Sequence, residues 1–355
     1  MLQAQKQNNG TRNLKPKRVG KLYGVSVWAV LVVVLAALFV FSFVLGRYSI
    51  SPLNVLKILI SHVLPVWRVD SGVLNTIVMN IRLPRILAAM VVGASLALSG
   101  VAFQGLFRNP LVSPDILGVS SGAGFGASLA ILLSGGLLMI QASAFCFALL
   151  AVGISYSISK MVKGNPTLSL ILAGMAIASL FGALLSLVKY VADPVNQLPA
   201  ITYWLMGSLA SVGPKGLLYA ALPMLVGMTV LILIRWRFNV LAMGEEEAKA
   251  LGVDTGKLRT IVVICCTMMT ASAVCISGTI GWVGLVIPHI GRALVGPDHK
   301  KLLPVCVLIG AIFLLFIDDI ARVVASVEIP IGILTAIVGI PFFLFLLKRG
   351  GRGWA

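Results

Sequence analysis

Residues 82–124 read RLPRILAAMVVGASLALSGVAFQGLFRNPLVSPDILGVSSGAG. No charged side chain interrupts the run between Arg85 and Arg108. A helix needs about 20 mostly apolar residues to cross a bilayer, and this run meets that length. It lacks the in-and-out alternation of a barrel strand. Gly, Ala and Ser crowd it, as they do packed membrane helices. The stretch predicts a spanning helix that stops at Arg108-Asn109-Pro110.

The same texture extends over the chain. Of 355 residues, 59% are hydrophobic and 11% charged, and the mean hydropathy is +1.04. A soluble domain is about 45–50% apolar and about 25% charged, so that class is excluded, and disorder with it. The expected fold class is all-α: a polytopic membrane protein of about ten transmembrane helices. They are expected near 25–45, 86–107, 116–134, 138–159, 167–190, 216–234, 259–276, 281–295, 302–324 and 331–347. The third and eighth are short and Gly-rich. Leu198–Leu209 is apolar but too short to span, and is expected to enter the membrane partway or lie at its interface.

The formal charge is +17. The basic residues stand at the ends of apolar runs, which points to membrane orientation and not to nucleic acid. With the N-terminus in the cytoplasm, eight of the 28 Lys and Arg fall outside: Arg47, Lys57, Arg68, Arg82, Arg85, Lys189, Lys215 and Arg322. The rest fall inside, among them Lys6, Arg12, Lys15, Lys17, Arg18, Lys21, Lys163 and Arg352. This bias predicts a multi-pass protein of the inner (cytoplasmic) membrane with both termini cytoplasmic. Residues 1–24 form a basic tail, 25–347 the transmembrane domain and 348–355 a second tail. The run Val25–Leu45 is too long for a signal-peptide core and reads as an uncleaved first span. Cys146, Cys265, Cys266, Cys275 and Cys306 lie within apolar segments without metal-like spacing, and read as small buried hydrophobes.

Two stretches echo one another. ASLALSGVAFQGLFRNP (94–110) and ASAVCISGTIGWVGLVIP (271–288) each place a Ser-Gly pair ten residues before a Pro. Internal repeats are common in transporters. Between the sixth and seventh spans, residues 238–257 (FNVLAMGEEEAKALGVDTGK) form a polar insertion on the cytoplasmic side. Glu245, Glu246 and Glu247 suit the positive end of a short helix. Ala248, Ala250 and Leu251 give it an apolar face, and Gly252 can close it. So short a helix needs something to pack on, either its own membrane domain or a soluble partner.

The pattern GEEEAKALGV resembles the coupling helix of the FecCD/cobalamin-type permease subunits of iron-chelate and vitamin B12 ABC importers. Three further blocks resemble the same family in the same order. They are residues 82–124, SGTIGWVGLVIPHIGRALVGPDHKKLLP (277–304) and EIPIGILTAIVGIPFFLFLL (328–347). Residues 1–80 resemble it in pattern only. Trp282 stands where the family usually has Phe, and Asp318-Asp319 where it usually has a single Asp.

The resemblance implies a type II ABC importer permease: a transport subunit and not an enzyme. It would pass a chelated metal, iron-siderophore first, with haem or cobalamin as alternatives. It implies a cytoplasmic ABC ATPase dimer, an extracytoplasmic substrate-binding protein, membrane lipid, and a second permease copy, in a homodimer or else a heterodimer. Gly244, Glu245, Ala248, Leu251 and Gly252 would contact the ATPase. The chain contains no Walker A pattern, so no cofactor is expected on it, and ATP and Mg would reside in the partner. Arg82 and Arg85, three apart on one helix face, and Arg322 would receive glutamates of the binding protein, opposed charges giving register and speed. The other role open to these arginines is interface anchoring, or internal pairing of Arg322 with Asp318 or Asp319.

Gln104, Gly122, Gly281 and Trp282 are candidates for the translocation path. Asp115, beside Pro114, reads as a helix cap, and His289 as a structural hydrogen-bonding group. The glycines at 118, 122, 124 and 126, and at 278, 281 and 284, suit helices that slide, or static close packing. Two other classes remain. An ion-coupled secondary transporter would need mid-membrane carboxylates, whereas Asp318-Asp319 lies near a helix end. A polytopic membrane enzyme would need a cluster of cytoplasmic Asp, His or Glu beyond Glu245–Glu247.

Overall fold

The computed structural model describes residues 22–46, 48, 50–63, 72–162 and 164–350. The basic tail charges Lys6 to Lys21, together with Arg47, Arg68, Lys163 and Arg352, lie outside the described residues. So does most of each expected tail. Among the described residues the chain is helical, without strand.

In chain order the helices are α1 (Leu22–Val44), α2 (Pro52–Val63), α3 (Gly72–Thr76), α4 (Leu83–Phe107), α5 (Val119–Leu132), α6 (Leu137–Met161), α7 (Pro166–Val191) and α8 (Gln197–Met206). There follow α9 (Pro214–Leu233), α10 (Arg235–Met243), α11 (Glu245–Ala250), α12 (Thr255–Ser277), α13 (Val283–Val295), α14 (His299–Val323) and α15 (Ile331–Gly350). All ten expected helices are present. Among the described residues, seven segments are long and apolar enough to cross a membrane; α5, α13 and the apolar part of α15 are shorter. Helices α2, α3 and α10 were not expected, and Leu198–Leu209 proves to be mainly the helix α8.

The sequence also starts α4 too late. A π-helical turn, Ile77–Arg82, joins α3 to α4, so Gly72–Phe107 is one apolar rod of 36 residues. The Leu83 N–H bonds to the Val78 carbonyl across that wide turn, just ahead of Pro84. Proline supplies no N–H and crowds the preceding turn. A local widening is how an apolar helix carries one without stranding carbonyls.

The helices form two tiers. α4, α12 and α14 are mostly buried, while α1, α6, α7 and α9 expose most of their surface. The core is close-packed through small residues. A Cβ on Gly93 would stand 2.2 Å from the Gly310 carbonyl oxygen, and one on Gly310 would stand 2.4 Å from that of Gly93. The backbones of α4 and α14 therefore touch, which larger residues would forbid. Gly122 and Gly126 of α5 press in the same way on the α6 carbonyls of Phe147 and Ser143, which is close packing.

Three expectations are corrected. The two echoing stretches are not equivalent: Ser99-Gly100 lies inside α4, whereas Ser277 ends α12 and Gly278 begins a break. They meet instead, because a Cβ on Gly100 would collide with Gly284 of α13. Asp115 is not a cap. The N-cap of the 3-10 turn Pro114–Leu117 is Ser113, and the Asp115 carboxylate accepts the Ser120 hydroxyl. Cys146 is exposed, unlike the four buried cysteines.

Candidate functional site

The hairpin between α9 and α12 is a rigid bracket. In α10, Phe238 and Leu241 are buried, and the Phe238 ring stacks on His299 of α14 at 5.7 Å between centroids. The Asn239 amide donates to Asp298 at 2.7 Å, and its oxygen accepts the His299 N–H at 2.8 Å. Asp298 in turn caps α14 by accepting the Lys300 N–H. Asn239 and the Lys300 N–H hold its carboxyl below the usual carboxylate range.

Gly244 then turns the chain, with φ 139°, into α11. This helix ends in a Schellman motif. The Val253 N–H bonds to the Ala248 carbonyl and the Gly252 N–H to that of Lys249, both at 2.9 Å. Gly252 has φ 80°, the left-handed conformation that glycine adopts without Cβ strain. Ala248 is fully buried, and Glu245 pairs with Arg259 of α12. Of the five coupling candidates, Ala248 and Glu245 thus fasten α11 to its own domain, and Gly244 and Gly252 shape its ends. Leu251, 61% exposed, is the one of the five left facing outward as a large apolar side chain, beside the exposed Glu246 and Lys249; Met243 at the end of α10 is exposed as well.

The opposite end of the bundle holds an ion cluster. Arg85 grips Asp318 through Nε and Nη2 at 2.9–3.1 Å and Glu328 through Nη1 at 3.0 Å. Arg322 pairs with Asp319 and stands 3.2 Å from Asp318. The Ser42 hydroxyl donates to Asp319 at 2.6 Å, and Arg82 donates to the Phe43 and Tyr48 carbonyls. The internal pairing considered for Arg322 is present and extends to Arg85. All three guanidiniums, expected to be open to an incoming glutamate, are buried and bound within the chain. Arg82 and Arg85 share a helix, yet Arg82 reaches the end of α1 and Arg85 reaches α14.

Near this end three irregular segments are sewn together. Ser208 N–H bonds to the Ser277 carbonyl at 2.7 Å, Ile331 N–H to Gly207 at 2.9 Å, and the Thr279 hydroxyl to Leu205. A Cβ on Gly278 would lie 2.2 Å from the Trp204 carbonyl oxygen, so this approach requires glycine. Non-helical backbone is tolerated at membrane depth where it is satisfied in this way. Gly281 and Trp282 follow within the same break. Trp282 has φ 68°, a rare conformation for a bulky residue. Its ring lies 6.1 Å from that of Phe343, and Gly339 leaves it room.

The remaining path candidates lie elsewhere. Gln104 is buried; its amide donates to Val112, and its oxygen accepts Arg292 at 2.6 Å. His289 bonds to the Pro110 carbonyl at 3.2 Å. Gly122 sits at the α5–α6 contact. The structure does not bring the four path candidates into one constellation. Sequence reasoning missed α10 and the carboxylate partners of Arg85; the i, i+3 pair Phe238/Leu241 was the available signal for α10.

These features define a polytopic helical membrane protein with a fixed bracket at one end. Residues 31–349 match the FecCD transport family. The chain is 43% identical over 333 residues to the molybdate import system permease protein MolB of Haemophilus influenzae (93% of this chain, 96% of the relative). It is 41% identical over 276 residues to an iron chelatin transport system permease protein of Helicobacter pylori (78% and 83%). A solved metal-chelate type ABC transporter in an inward-facing conformation matches at TM-score 0.82 and 42% identity, over 92% of this chain and 99% of that one. The chain belongs to the FecCD transport family of ABC transporter permeases.

Proposed function

We propose that this chain is the membrane-spanning half of an ATP-driven importer in the cytoplasmic membrane. A separate ATPase dimer grips the α10–α11 hairpin, and a second copy of the chain completes the translocation path. The observation that carries this reading is the bracket itself. α11 is too short to stand alone, is locked from behind by Ala248 and Glu245, and turns Leu251 outward. A lever needs that stiffness to pass a push on α11 into α12 and α14.

The hairpin side is cytoplasmic in this reading, in keeping with the basic residues at that end. A binding protein delivers substrate at the other end, where the ion cluster acts as a rigid clasp between α1, α4 and α14. The substrate is an iron chelate in the first reading. Molybdate is the second, favoured by the relative that matches over 93% of this chain.

The test is a reconstituted system in lipid nanodiscs with the cognate ATPase and binding protein. Leu251→Arg should abolish substrate-stimulated ATP hydrolysis while the permease keeps its melting temperature. Undiminished stimulation contradicts the reading. Ferric siderophore and molybdate, each tried as the stimulating ligand, decide between the substrates.

A further inference from the structure

We propose that Arg292 is a cargo-binding residue at the hairpin end of the bundle, and that the cargo it receives is an anion. The proposal rests on the importer reading and adds to it the charge class of the substrate. Arg292 lies in α13, six residues before the Asp298 cap of α14. Its Nη2 donates to the Gln104 oxygen at 2.6 Å and stands 3.4 Å from Nδ1 of His289. Neither partner is a carboxylate, whereas Arg85, Arg259 and Arg322 each end on one. Among the described residues, Nε and Nη1 of Arg292 have no partner. Neither atom is closed off. The unpartnered polar atoms without accessible surface are Ser and Thr hydroxyls, Nε of Arg259 and of Arg322, and one Glu328 oxygen. A guanidinium drawn partly out of water without a counter-ion is costly. Its planar fork fits paired anionic oxygens, whether of a chelate or of a tetrahedral oxyanion.

Its place in the fold favours cargo as the occupant. Trp282, His289 and Arg292, seven and three residues apart, stand along one side of α13. The Phe343 ring of α15 lies 6.1 Å from Trp282 and 6.2 Å from His289. This side of α13 therefore runs beside α15 from the break at 278–282 to the hairpin end. The guanidinium is also held in position, because Gln104 donates to Val112 and His289 bonds to Pro110. Its surroundings are basic. Arg108, one turn beyond Gln104, is exposed and has no carboxylate partner among the described residues. Asp298 is already engaged by Asn239 and the Lys300 N–H. Arg292 is half-buried, while Arg108, Asn109 and Leu111 of the neighbouring loop are exposed. A small mobile anion reaches so recessed a group more readily than a side chain of a docked protein.

The test is ligand-induced thermal stabilisation of the chain in lipid nanodiscs without its ATPase, at an ionic strength held constant with chloride. The probes are molybdate, an anionic ferric catecholate and neutral cyanocobalamin. The expected result is saturable stabilisation by at least one of the two anions and none by cyanocobalamin. Arg292→Gln should raise the half-saturating concentration about tenfold, as the loss of a charge-assisted hydrogen bond does. Arg292→Lys keeps the charge without the fork and should lose less. Lys215→Gln, at the start of α9, should change nothing. The ligand-free Arg292→Gln chain should melt no lower than wild type, since an uncompensated cation is removed and the new amide can still donate to Gln104. A ligand-free melt well below wild type would mark a structural arginine and overturn the proposal. So would silence toward both anions, an anion response unchanged in Arg292→Gln, or an equal response to cyanocobalamin. The importer reading is checked separately. An anion response lost in Arg292→Gln keeps this site even if no ATPase couples to the chain, and coupled import undiminished in Arg292→Gln keeps the importer and removes the site.

Discussion

Arg85, Asp318, Asp319 and Arg322 are four charges taken out of water, and each is held by its neighbours. Removing one partner strands the other, at a cost of about 3–5 kcal/mol, whereas replacing a pair by apolar residues is often neutral. Asp318→Asn should therefore lower the melting temperature sharply. The double variant Arg85→Met with Asp318→Leu should recover part of the loss. Equal losses in both would deny that the charges are coupled. Trp282 offers a second test. Trp282→Ala and Trp282→Gly both forfeit the ring contact with Phe343, but only glycine is relaxed at φ 68°. The glycine variant should be the more stable by about 1 kcal/mol, as read by thermal melts in detergent. At this scale the sequence was a partial guide. It made Arg322 a candidate for pairing with either Asp318 or Asp319, since i, i+3 and i, i+4 neighbours on a helix can meet. The Arg85–Asp318 bond joins residues 233 positions apart, and no local spacing reveals it.

Elements were far more legible, because a run of apolar residues at spanning length admits few alternatives. The short helices were the exception. α10 carries Arg235 and Arg237 beside Phe238 and Leu241, so its polarity hid a helix inside what reads as a loop. α2, at 12 residues, falls short of a span, and α3 was hidden as the lead-in to α4. The joint between α10 and α14 rests on Asp298, whose loss as a cap should cost about 1 kcal/mol in Asp298→Ala, with Asp298→Asn close to wild type. Its carboxyl is held low by Asn239 and the Lys300 N–H. Its contribution is therefore complete above the ordinary Asp range and fades as pH falls through the lower folded value. Melting temperature measured from about pH 5 to about pH 3 should fall less steeply for Asp298→Asn than for wild type. Parallel curves would remove Asp298 from the account. Gly310→Val should separate α4 from α14 and disrupt folding, since its first side-chain atom already overlaps the Gly93 carbonyl.

For the whole molecule, the buried tier of α4, α12 and α14 joins the two ends. α12 begins next to the hairpin and ends at the sewn break of residues 278–282, and α14 runs from Asp298 to the ion cluster. A displacement of α11 therefore has a stiff route to the far end through backbones already in contact. The sequence conveyed the family and the hairpin, but not that the hairpin is fastened by Glu245 to Arg259. The most direct measurement is ATP hydrolysis by the cognate ATPase bound to this chain in nanodiscs, comparing wild type with Glu245→Lys. The account predicts that the ATPase still binds through Leu251 but that hydrolysis no longer responds to loaded binding protein. Full stimulation in Glu245→Lys would contradict it, because a bracket cut loose from α12 could not transmit the stroke.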